Sequence, residues 1–140
     1  MYTGLLHAHS GLRWIALVLL VASVLSALAK SDYTDGNRKL YLFTLISAHL
    51  QLVIGLLLYF ISPKVNFNEI SDKLYRFYTV EHITGMLIAI ILITIGYSRS
   101  KRATNAASKQ RLIAIFYGLG LLLILAMIPW PFRIPGAGWF

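Results

Sequence analysis

Cysteine is absent from this 140-residue chain, which excludes disulfides, thiolate-bound iron–sulfur clusters and the Cys-x-x-Cys-His attachment of covalent haem. Any metal or cofactor has to be held through histidine, methionine or oxygen. Charge is scarce as well: 13% of residues carry one, and only five of them are acids, against 13 Lys and Arg. A chain that is 58% hydrophobic lacks the polar residues to clothe a soluble domain of this size. The polar residues it does have gather into short clusters between long apolar runs, the layout of membrane spans and loops. The net charge of +8 does not point to nucleic acid, because the basic residues flank apolar runs instead of lining one amphipathic face. Phosphate-loop and dinucleotide fingerprints, internal repeats and any Ser/His/acid arrangement for nucleophilic catalysis are missing too.

The apolar runs predict an all-α integral membrane protein, a single four-helix up-down bundle over residues 1–140. Spans are expected at about residues 5–28, 40–61, 74–97 and 112–128. Each is near the roughly 20 residues that cross a hydrocarbon core at about 1.5 Å per residue. The runs are too long for strands and show no period of two. Pro63 closes the second span, and Pro129-Trp130-Pro131 closes the fourth. Ala27-Leu28-Ala29 resembles a signal cleavage site, but no basic segment precedes the run and its length is that of a full span, so it reads as a retained first helix.

Orientation follows from the Lys and Arg count. The first and third loops hold Lys30, Arg38 and Lys39, then Arg99, Lys101, Arg102, Lys109 and Arg111, whereas the opposite side has Lys64, Lys73, Arg76 and Arg133. Positive loops stay in the cytoplasm, so both termini are expected outside, which is periplasmic for a bacterial inner membrane. Trp130, Phe132, Trp139 and Phe140 then belong to the outer aromatic belt.

Ionisable groups inside spans are costly and mark function. Here they are His9, Arg13, His49, Glu81 and His82. Counting back from the inner boundary puts Arg13, Glu81 and His82 in one layer, roughly 25 to 27 Å deep. An Arg13–Glu81 salt bridge between the first and third helices is expected, serving packing or function. Arg13 has a second reading, the binding of a propionate or other anionic group of a cofactor by its planar fork. His7 and His9 point about 200° apart on a helix and cannot share an ion; His9 is taken as inward and His7 as interfacial.

His9, His49 and His82 come from three helices, as a site at the centre of a bundle requires. Two of them can ligate a b-type haem, with His82 common to the pairs His9–His82 and His49–His82. Gly85, Ala89 and Gly55 make room for a macrocycle or for close helix packing. Ser47, Gln51 and Gly55 form a polar stripe roughly opposite His49, read as a helix contact or a quinone-headgroup site. Met86 is one turn from His82, and Tyr117 stands alone in the fourth span, which reads as scaffold.

Leu6-His7-Ala8-His9-Ser10-Gly11-Leu12-Arg13-Trp14, Ala48-His49-Leu50-Gln51, Phe77-Tyr78-Thr79-Val80-Glu81-His82 and Ile128-Pro129-Trp130-Pro131-Phe132 carry a resemblance. Over nearly its whole length the chain resembles a family of small four-helix bacterial membrane proteins labelled cytochrome-b-like. The resemblance implies one haem b and electron transfer, with a quinol or membrane redox complex as partner. Two alternatives remain at this point. One is copper handling by His9, His82, Met86 and Glu81, and the other a cofactor-free accessory subunit of a larger assembly or homo-oligomer, whose basic inner loop meets anionic lipid or a cytoplasmic partner.

Overall fold

The computed structural model describes residues 1–29 and 31–140; Lys30, counted above in the first basic loop, lies outside the described residues. Four helices dominate it: α1 (Tyr2–Ala29), α2 (Asp35–Ile61), α3 (Lys73–Arg102) and α4 (Ala106–Met127). All four are long and apolar enough to cross a membrane, and the described residues contain no strand. Each helix overruns its expected apolar limits at one end or both. Apolar runs mark what suits hydrocarbon, whereas helix ends are set by caps that satisfy orphan backbone groups.

The caps are specific. Thr34 and Asn37 form a capping box ahead of α2: Thr34 Oγ1 accepts from the Asn37 amide at 3.2 Å, and Asn37 Oδ1 accepts from the Thr34 amide at 2.8 Å. Asn37 also donates to Ser26 Oγ at 2.8 Å, which ties the start of α2 to the end of α1. Asn105 caps α4 through the Ser108 amide at 2.8 Å, and Asp72 caps α3 through Leu74 at 2.8 Å. At the far end of α3, the Lys109 ammonium donates to the Ser100 and Lys101 carbonyls at 3.1 and 3.2 Å, where the helix dipole favours a cation.

Short loops make sequential helices antiparallel. α1 lies against α2 and α4, α3 packs closely on α4, and α2 meets α3 along the thinnest seam. Gly96 and Gly120 let α3 and α4 approach: a Cβ at Gly96 would lie 2.5 Å from Phe116 Cβ, and one at Gly120 would lie 2.8 Å from Ile93 Cγ1. The core sits in the half of the bundle nearest the two basic loops. There Tyr41, Ile93, Ile113 and Tyr117 are fully buried.

Polar groups in this core are paired. Tyr41 donates to Gln110 Oε1 at 2.5 Å, Gln110 donates to the Asp32 carbonyl at 2.6 Å, and Tyr117 donates to the Tyr41 carbonyl at 2.7 Å. Ser23 and Thr44 share a hydrogen bond of 2.7 Å between α1 and α2. These bonds pin α1, α2 and α4 at one end. The outward faces carry large apolar side chains such as Val18, Phe60 and Leu122, all well exposed.

Candidate functional site

The opposite half of the bundle is less tightly filled, and a cavity of about 420 Å³ opens there. Its size lies in the range of pockets that take cofactor-sized ligands. His9 and Arg13 reach it from α1, Gln51 and Gly55 from α2, Tyr78, His82 and Met86 from α3. Residues 136–138 and Phe140 line it as well.

His9 and His82 meet with ring centres 6.4 Å apart and planes at 73°. Two imidazoles sharing one metal, each nitrogen about 2 Å from it, have ring centres about 5 Å apart at a tetrahedral angle and about 6 Å apart on opposite sides, so this spacing is compatible with a shared ion only in the second arrangement. His82 Nδ1 lies 2.7 Å from the Met127 carbonyl. A carbonyl only accepts, so Nδ1 carries the proton, and a neutral ring keeps its Nε2 lone pair free. An orienting bond of this type is what a metal-ligating imidazole uses. Gly55 backs His9: a Cβ there would lie 3.1 Å from His9 Cε1 and 3.6 Å from Nδ1. Gln51 Nε2 donates to the His9 carbonyl at 2.8 Å, fastening α2 to α1 beside the cavity.

His49 does not join them. It is exposed, its Nδ1 donates to the Leu45 carbonyl at 2.8 Å, and Nε2 lies 3.5 Å from Thr94 Oγ1. That hydroxyl already donates to the Ile90 carbonyl at 2.7 Å. Thr94 stands twelve residues beyond His82 on one helix, about 18 Å along its axis, so His49 and His82 cannot share a haem or an ion. Gln51 takes the inward place instead. Residues two apart lie about 200° apart around a helix, so turning Gln51 in turns His49 out.

The expected Arg13–Glu81 salt bridge is not formed either. Glu81 accepts from Arg76 Nε at 2.9 Å, with both side chains partly exposed. The reason lies in the backbone: residues Phe77–Glu81 form a π-turn, in which the His82 amide bonds to the Phe77 carbonyl. In a regular α-helix residues five apart lie about 140° apart around the axis, and the wider turn brings Arg76 and Glu81 onto one face. Turns of this kind recur at functional sites.

Arg13 reaches a backbone atom instead. Its Nη2 donates to the Trp139 carbonyl at 2.6 Å, which also accepts from Trp14 Nε1 at 3.1 Å. Gly85, expected to open space near His82, receives the Met127 side chain, so it serves close packing of α3 on α4. Met86 lines the cavity, and His7 is exposed. Among the described residues no three His, Asp or Glu side chains gather. Neither a three-histidine site nor the His–His–Met–Glu copper set is therefore assembled. No family model, curated protein or solved structure matches the chain.

Sequence reasoning missed the Gln51–His9 bond, the Tyr78 wall and the Trp139 carbonyl. Gln51 had a signal, its place opposite His49. A carbonyl oxygen has none, because every residue carries one.

Proposed function

We infer that the chain is a four-span protein of a bacterial inner membrane, both termini outside, that holds one b-type haem between His9 and His82 and serves electron transfer. The observation that carries this reading is the juxtaposition of the two rings at 6.4 Å beside a largely apolar cavity that Arg13 and Gln51 also line. The clustering of the basic loops at one end supports the orientation, since Lys109 lies 5.2 Å from the Tyr33 ring across the two loops.

Haem bound there supplies a one-electron couple whose potential depends on axial ligation and burial. The chain's own residues do the holding. Met127 fixes the proton of His82 on Nδ1, which leaves Nε2 as the donor atom. Gly55 and Gln51 fix where His9 stands, one by leaving room and the other by bonding its carbonyl. Apolar side chains such as Leu52, Ile83 and Ile90 keep water from the rings.

Reduced-minus-oxidised spectra of the protein purified from haem-sufficient cells test this. Soret and α bands are expected in the wild type and in His49→Ala, and their loss in His9→Ala and His82→Ala. A wild type that neither carries haem nor takes it up in a hemin titration overturns the reading, as do bands that survive both substitutions.

A further inference from the structure

Among the described residues, the buried side-chain nitrogen and oxygen atoms without a hydrogen-bond partner are His9 Nδ1, Arg13 Nε and Gln51 Oε1. All three residues line the one cavity. Leaving a buried polar group unpaired is costly, so three around a single space point to a polar ligand, with an acceptor for Arg13 Nε and a donor needed for Gln51 Oε1.

Arg13 says which chemistry. Nε and Nη2 share one edge of the guanidinium, the edge that grips a carboxylate side-on with two parallel bonds. Here Nη2 is taken by the Trp139 carbonyl at 2.6 Å and Nε by nothing. A carbonyl presents one oxygen to a fork built for two. Glu81, the acid expected to pair with it, is held by Arg76, and among the described residues no carboxylate forms an ion pair with Arg13.

The group in the way belongs to a partly exposed segment, held by the bonds from Arg13 and Trp14 and by the Trp139 and Phe140 rings against Trp130 and Trp14 at 6.0 and 6.3 Å. Trp139 and Phe140 are 50% and 74% exposed, while Ile134, at 1%, anchors the start of the segment. Between them come Gly136, at φ 74°, and Gly138, two residues that let the backbone turn.

We propose that Arg13 is the anchor of a carboxylate site for an amphiphile lying in the cavity, and that residues 136–140 are its lid. The incoming carboxylate takes both Nε and Nη2, displaces the Trp139 carbonyl and lifts the segment. The site does not require that the ligand be haem: a haem propionate and a long-chain fatty acid offer the same group.

The two sources separate in titrations of the purified wild type with hemin against hemin dimethyl ester, and with palmitate against hexadecanol. The acid of at least one pair is expected to bind ten or more times tighter than its neutral partner, and Arg13→Gln to erase that ratio. The chain has no cysteine, so a spin label at Phe140→Cys reports the lid. Its mobility should rise with palmitate and stay unchanged with hexadecanol. A preference in the palmitate pair without any hemin binding supports the site and removes the haem reading. Hemin and its ester bound equally, with no palmitate preference, keeps the haem and overturns the site. So does an acid preference that survives in Arg13→Gln.

Discussion

Replacing Gly85 by alanine joins helix packing to the site in one measurable step. The new Cβ would lie 2.3 Å from Met127 Cγ, 2.9 Å from Sδ and 3.4 Å from Cβ. Carbon atoms in good contact stay about 3.5 to 4.0 Å apart, so the first of these is more than an ångström too close. Cγ sits near the root of the side chain, and rotating the tip alone does not clear it. Overpacking of this size costs about 1 to 3 kcal/mol, and the gain in helix propensity returns about 1. Gly85→Ala should therefore lose up to about 2 kcal/mol of stability.

The control is Gly118→Ala on α4, where an added Cβ meets nothing within 4 Å and only the propensity gain of about 1 kcal/mol remains. Unfolding followed by far-UV circular dichroism in mixed micelles compares the two variants. The double variant Gly85→Ala/Met127→Ala removes the clash and should recover stability relative to Gly85→Ala. The Met127 carbonyl also holds His82 Nδ1, so Gly85→Ala should weaken whatever binds at His82. If Gly85→Ala proves as stable as Gly118→Ala, the tight approach of α3 and α4 at this level is wrong.

Two other expectations concern the network and the ion pair. Tyr41→Phe strips the donor from Gln110 Oε1, a group 3% exposed, and should destabilise the bundle by about 1 to 3 kcal/mol in the same assay. A double-mutant cycle on Arg76 and Glu81 should give a coupling of about 0.2 to 1 kcal/mol, small because both side chains are partly exposed. The same cycle on Arg13 and Glu81 should give none, and a clear coupling there would restore the interhelical salt bridge.

The lengths of the apolar runs, the polar breaks between them and the residues that stop helices determined four helices in an all-α chain. These are local properties: a run of about 20 apolar residues is helical because its backbone must bond to itself, and Thr34 starts a helix and Pro63 stops one, each by its own chemistry. The inward direction was not local. Helices apolar all round have no stripe to mark the core, so nothing within α2 overruled the choice of His49 as the inward residue in favour of Gln51 on the opposite face. Depth counting assumed a regular α-helix, and the π-turn before His82 turned Glu81 to Arg76. Only the tertiary structure brought His9 to His82 and gave Arg13 the carbonyl of a residue 126 positions away. Pairings across that distance depend on how whole helices and a returning chain segment pack, and no short stretch of sequence contains that information.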